Sequence, residues 1–137
     1  MWRNWFVKPG NIVALMLIAS GNSAWADTSA IGLDEQGIQR ATIIMDSYSY
    51  SPKDLTVQAG KPVEFTFQNT ATFTPHTFVM DDPAAGLHLR TEVSAGDTQT
   101  LRFTPMQSGS VMFYCDKKLL FFKSHRERGQ EGHLEIR

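Results

Sequence analysis

Cys115 is the only cysteine in a chain of 137 residues, and it is followed by His125 and Gln130 within residues 113–132, FYCDKKLLFFKSHRERGQEG. A second histidine, His76, stands upstream directly behind Pro75. One thiolate, two imidazoles and a weak amide donor are side-chain types that suit a copper ion exchanging a single electron. Soft sulfur favours Cu(I), and imidazole serves either oxidation state. The cysteine count alone leaves Cys115 open as a buried inert thiol, an intermolecular bridge or a metal ligand.

The N-terminus bears on that choice. Arg3 and Lys8 precede an apolar run at residues 12–19, and Ala24-Trp25-Ala26 has small residues at the cleavage-determining positions. This predicts a secretory signal peptide over residues 1–26, with an apolar core too short to span a bilayer. An uncleaved anchor is the competing reading. Cleavage leaves residues 27–137 in the periplasm or medium, with no further membrane span. Net charge then moves from −1 to −3, because two cations and no acids are removed. Neither value suggests nucleic acid as a partner, which calls for a basic surface. An exported compartment is oxidising and structural cysteines there pair, so a lone Cys115 cannot form an intramolecular disulfide.

The elements that must position these residues are strands. Residues 27–39 are small and polar and read as a poorly ordered leader or edge segment, and residues 40–137 as one domain, expected to be monomeric. Val63, Phe65 and Phe67 alternate with Glu64, Thr66 and Gln68, which predicts a strand with one face inward. The same period of two puts His76, Phe78 and Met80 together, then Leu101 with Phe103, Val111 with Phe113 and Cys115, and Leu134 with Ile136. Residues 84–95 read as a longer connection with one short strand at 87–93. His88 is expected in that connection and His133 on an outward face, both solvated. Short strands, turn signals at close spacing and no amphipathic helix predict an all-β fold. The expected architecture is a Greek-key β-sandwich of about seven to eight strands, with an open barrel as the alternative. Its core suffices without a disulfide, at roughly 1.5–3 kcal/mol per buried large apolar side chain.

The anchors Tyr50-Ser51-Pro52, Gly60-Lys61-Pro62-Val63, Pro75-His76-Thr77-Phe78, Phe113-Tyr114-Cys115 and residues 124–132 (SHRERGQEG), in this order, resemble the plastocyanin/azurin-like cupredoxins, the blue copper proteins. The resemblance runs from about Tyr48 to Ile136. It implies one copper ion cycling between Cu(I) and Cu(II), with His76, Cys115 and His125 as the strong ligands. It puts Gln130 where the axial methionine of typical members falls, and stellacyanin-like members share such a glutamine. An axial amide oxygen is harder than a thioether, so it favours Cu(II) and lowers the reduction potential; a three-coordinate ion with Gln130 free is the alternative. The chain departs from the family pattern in the nine residues that separate Cys115 from His125.

That insert carries Leu119-Leu120-Phe121-Phe122 between Lys117, Lys118 and Lys123, with Arg126 and Arg128 beyond. An apolar patch rimmed by cations suits transient docking of a redox partner that is acidic at the contact, at residues 117–123. The same residues could instead fold back over the copper end. The expected function is outer-sphere electron transfer by an exported, non-enzymatic copper protein. A periplasmic copper-binding, resistance or delivery protein using the same ligands is the alternative. A small copper enzyme with an open coordination position and a sandwich that binds no metal are the remaining readings.

Overall fold

The computed structural model describes residues 29–137; the expected signal peptide lies outside the described residues. Ten strands form two sheets, somewhat more than the seven to eight expected, because short edge pieces pair as separate strands. The strands are β1 (Ser29–Ala30), β2 (Gln39–Asp46), β3 (Ser49–Ser51), β4 (Asp54–Val57), β5 (Val63–Asn69), β6 (His76–Asp82), β7 (Leu87–Val93), β8 (Thr98–Phe103), β9 (Gly109–Tyr114) and β10 (Glu131–Ile136). The six-stranded sheet has the order β1-β4-β10-β9-β6-β7 and the four-stranded sheet the order β3-β2-β5-β8. The chain passes between sheets after β1, β3, β4, β5, β7 and β8. These crossings stack the two sheets into a sandwich.

The period-two pattern explains the core. Ile43 and Met45 of β2, with Val63, Phe65 and Phe67 of β5, are fully buried. They meet Phe78, Met80, Val111, Phe113, Leu134 and Ile136 from the six-stranded sheet. Aromatic rings link the layers edge to face, Tyr50 lying 5.3 Å from Phe113 and Phe65 6.1 Å from Phe78 between centroids. Leu101 and Phe103, expected inward, are partly buried and pack against this core.

Several polar residues depart from their sequence pattern. Glu64, on the face expected to be outward, is buried between Arg40 and Arg102, its direct neighbours on β2 and β8. Both arginines pair with its carboxylate. Gln39 is also fully buried: its amide donates to the carbonyl of Gln58 at 3.2 Å and accepts the Gln58 N–H at 2.6 Å. This exchange ties β2 of the four-stranded sheet to the residue after β4 of the six-stranded sheet through a side chain. The strand expected at residues 87–93 is β7, which pairs with β6 along its length. Asp82 starts it by accepting the N–H groups of Ala84 and Ala85 in a single 3₁₀ turn. His88 therefore sits on a strand, not in a loop, exposed and paired with Asp81 at 2.5 Å. His133 is exposed as expected, 3.4 Å from Asp54.

Candidate metal centre

His76, Cys115 and His125 come together at one end of the sandwich, with their donor atoms all within 4.8 Å of one another. His76 opens β6 directly behind Pro75, whose fixed φ limits how the chain enters the strand. Cys115 follows the last residue of β9, and its N–H donates to the Gln130 carbonyl at 3.1 Å. That bond prolongs the β9–β10 ladder by one pair, so Cys115 and Gln130 face each other across two rigid strands.

His125 arrives from the insert, and the backbone fixes where it stops. Its N–H donates to the Lys117 carbonyl at 2.8 Å, and its own carbonyl accepts the Gln130 N–H at 3.0 Å. The first bond closes a neck, so residues 118–124 loop out and Lys117 and His125 meet as if joined by a short turn. One 3₁₀ turn, Arg126–Arg128, then leads to Gly129, whose φ of 100° reverses the chain into β10. A side chain at that φ is strained.

The ring nitrogens face one another. His76 Nδ1 lies 3.2 Å from His125 Nδ1, which lies 3.5 Å from Cys115 Sγ. Burial first, and then the neighbouring His125, holds the pKa of His76 below the usual imidazole range. Burial likewise lowers His125, with Arg128 and Lys117 adding to the effect. Neutral rings are the form that offers lone pairs. Gln130 is fully buried, and its amide nitrogen donates to the Ser49 carbonyl at 3.3 Å. That contact turns the amide oxygen inward, where Oε1 is buried without a hydrogen-bond partner. A buried unpaired acceptor costs about 1–3 kcal/mol, a cost that a cation offsets. A thiol, two imidazoles and an orphaned carbonyl oxygen, with no carboxylate in the cluster, fit one copper ion.

A second layer surrounds the sulfur. The Thr77 N–H donates to Cys115 Sγ at 3.4 Å, and Thr77 Oγ1 also lies 3.4 Å from it. The same hydroxyl is 2.7 Å from Asp116 Oδ1 and accepts the Asp116 N–H at 3.0 Å. Arg90 Nε holds the other carboxylate oxygen at 3.0 Å. Burial opposes ionisation of Asp116, yet the hydrogen bonds from Arg90 and Thr77 outweigh it and keep its carboxyl below the usual range. The Tyr50 hydroxyl donates to the Thr77 carbonyl at 2.5 Å, fixing Thr77 from the core side.

Tyr48 packs its ring edge-on to His125 with centroids 5.0 Å apart, and Arg128 lies over the same ring at 4.7 Å. Its φ of 68° is rare for an aromatic residue. His125 is the less buried imidazole, 8% exposed against 1% for His76. It forms part of the wall of a groove of about 520 Å³ with Tyr48, Phe73, Pro75, Leu119 and Phe122. The insert does not fold over this end: Leu119, Leu120, Phe121 and Phe122 are 59–100% exposed. Thr77, Asp116, Tyr48 and Ser49 escaped sequence reasoning as parts of the site. For Asp116 the available signal was adjacency to Cys115.

A family model for the cupredoxin-like domain matches residues 11–130. The metal-binding domain of the Cu(I)-exporting P-type ATPase CopA of Streptococcus pneumoniae D39, solved with Cu(I), superposes with a TM-score of 0.62 at 20% identity, covering 80% of this chain and 95% of that one. Dithionite-reduced auracyanin from the photosynthetic bacterium Roseiflexus castenholzii gives 0.58 at 20% identity, over 77% and 99% of the two chains. A multicopper oxidase gives 0.61 at 16% identity, and there 80% of this chain matches 46% of the larger one. At these identities the likeness is one of fold. No curated protein matches the chain by sequence.

Proposed function

The chain belongs to the cupredoxin-like family, and on that premise we propose that it is an exported carrier of single electrons. In this reading one copper ion is held by His76, Cys115 and His125 in a type 1-like arrangement, with Gln130 as a weak fourth donor. The observation that carries the reading is the convergence of one sulfur and two imidazole nitrogens within 4.8 Å in a buried pocket. Bound copper supplies a one-electron couple there. Cys115 and Gln130 are fixed by the β9–β10 ladder, His76 by β6 and His125 by its neck bond to Lys117. Such rigid mounting keeps the donors in one geometry for both oxidation states, which lowers the reorganisation that accompanies transfer.

The edge of His125 is the proposed passage for the electron, because it borders the open groove while His76 is enclosed. A redox partner protein meets the chain at that end, whose cations at Lys117, Lys118 and Lys123 favour an acidic contact. Export follows from the signal-peptide pattern of residues 1–26, and the working domain is residues 40–137 with 27–39 as its edge segment. Among the described residues no helix is long and apolar enough to cross a membrane.

Copper delivery is the second reading, and the Cu(I)-bearing domain among the structural neighbours favours it. The deciding experiment loads the protein with copper and records visible absorption, electron paramagnetic resonance and voltammetry for wild type and Cys115→Ser. Electron transfer requires an intense thiolate-to-copper band, absent in Cys115→Ser, and reversible cycling without loss of the ion. Absence of the band in wild type overturns the ligand set. Ready release of Cu(I) to a chelator during cycling favours delivery.

A further inference from the structure

Among the described residues eight large apolar side chains are exposed, and four of them are consecutive: Leu119, Leu120, Phe121 and Phe122. The Phe122 N–H donates to the Leu119 carbonyl at 3.0 Å, and Leu120 adopts a φ of 46°. The result is a tight turn at the tip of the insert, with Phe121 100% exposed. Residues 117–128 hold five cations and a single acid, Glu127, on a chain whose overall charge is −1. Glu127 is occupied locally by the N–H and hydroxyl of Ser124, at 2.6 and 2.7 Å. This end is therefore basic while the remainder of the molecule is acidic.

We propose that this turn inserts into an anionic lipid bilayer surface, seating the His125 end of the sandwich against the membrane. Two observations favour a bilayer over other occupants. Leu119 and Phe122 line the groove beside His125, but Leu120 and Phe121, the two most exposed of the four, do not. A small molecule in the groove would leave them in water. A folded partner would need an apolar pit with an acidic rim matched to this one convex tip. A bilayer offers apolar depth behind an anionic layer at every point. The turn has the same order: Lys118 and Lys123 flank its base at headgroup height, and the leucines and phenylalanines form its apex. Long lysine stems can keep their ammonium groups at that height while the apex goes deeper. On the electron-carrier reading proposed above, the redox partner would then be met at the membrane surface, across the groove beside His125, while the tip sits in the bilayer.

The reading is independent of the ligand assignment, since lipid binding is measured without any copper signal. The three tryptophans, Trp2, Trp5 and Trp25, all precede Asp27, so Phe121→Trp is the sole tryptophan of a chain beginning there. With reduced protein, vesicles of phosphatidylglycerol and phosphatidylethanolamine should shift its emission to the blue, and brominated acyl chains should quench it. Co-sedimentation of the otherwise wild-type chain should fall at least about tenfold in Lys118→Glu/Lys123→Glu and in Leu120→Ser/Phe121→Ser, and it should weaken in high salt. No binding to anionic vesicles overturns the proposal. So does equal binding to pure phosphatidylcholine that ignores the charge reversal. Concentration-dependent self-association or binding to an acidic protein, abolished by Leu120→Ser/Phe121→Ser while vesicles bind nothing, also overturns it and assigns the tip to a protein contact.

Discussion

Gly132 stands directly opposite Phe113 in the β9–β10 ladder, and the Phe113 ring occupies the space that a Cβ on Gly132 would need. That Cβ would lie 2.5 Å from Phe113 Cζ and closer still to the Lys53 carbonyl oxygen. The glycine is thus a packing requirement two residues from each of the facing pair Cys115 and Gln130. Gly132→Ala should destabilise the fold by about 1–3 kcal/mol, the range for overpacking a tight core, measured by denaturant unfolding. Phe113→Leu on top of it should recover part of the loss, because the Lys53 backbone stays in the way. Full recovery would show that the ring alone sets the constraint.

Thr77 has one hydroxyl proton and two acceptors within reach. Asp116 Oδ1 at 2.7 Å outcompetes Cys115 Sγ at 3.4 Å, which leaves the sulfur with the Thr77 N–H alone. Asp116→Ala should free the hydroxyl to turn to the sulfur and raise the reduction potential of the copper-loaded protein, since hydrogen bonds to the thiolate drain its electron density. Loss of a nearby negative charge acts in the same direction, so a double-mutant cycle with Thr77→Val separates the two. Additive potentials would assign the whole shift to charge.

Gln130→Met exchanges a hard amide oxygen for a thioether and should raise the potential while Cys115 keeps its charge-transfer band. An unchanged potential would remove Gln130 from the axial role. Its orphaned Oε1 would then need another explanation.

Glu64 predicts a pH effect. Burial works against its ionisation, but the pairing with Arg102 and Arg40 prevails and holds its pKa below the usual carboxylate range. A depressed folded-state pKa gives stability that is complete above the unfolded-state value and is lost as pH falls through the folded one. Thermal unfolding of wild type against Glu64→Gln should therefore diverge at neutral pH and converge in acid below the ordinary glutamate range. A difference that persists at low pH would mean the carboxylate acts through shape alone.

The neck makes a prediction about the insert. Replacing residues 118–124 by Gly-Gly leaves Lys117 and His125 spaced for a β-turn that retains their 2.8 Å bond. Loop-closure entropy changes by only about 1 kcal/mol for such a shortening. The copper spectrum should survive and vesicle binding should vanish. A lost or altered spectrum would make the insert part of the site.

How far the sequence could be read depended on how each constraint is written into it. Period-two alternation is a local signal, so the burial of Phe65, Phe78, Phe113, Leu134 and the Cys115 side chain was accessible one strand at a time. Glu64 was not, because its burial depends on Arg40 and Arg102 lying on either side, and those neighbours exist only once strand order is known. Gln39 is similar: its partner is the backbone of Gln58, nineteen positions away. The neck between Lys117 and His125 is a bond between main-chain atoms and leaves no side-chain trace at all. Thr77 could be quoted as part of a motif, but its competition between sulfur and carboxylate needs distances.

His76, Cys115 and Gln130 all hang from strands of the six-stranded sheet or their immediate extensions, while the four-stranded sheet reaches the site from its β3 edge, through Tyr48, the Ser49 carbonyl and the Tyr50 hydroxyl on the Thr77 carbonyl. Stability can therefore drift on one sheet without the couple following. Substitutions on β2, β5 and β8 change how long the protein survives, while those at the site ends of β6, β9 and β10 also change what voltage it works at. For an engineer, the outer face of β8 is the natural handle for fixing the protein to an electrode. A tether there touches none of the four donors, so it can be strengthened or moved without retuning the couple.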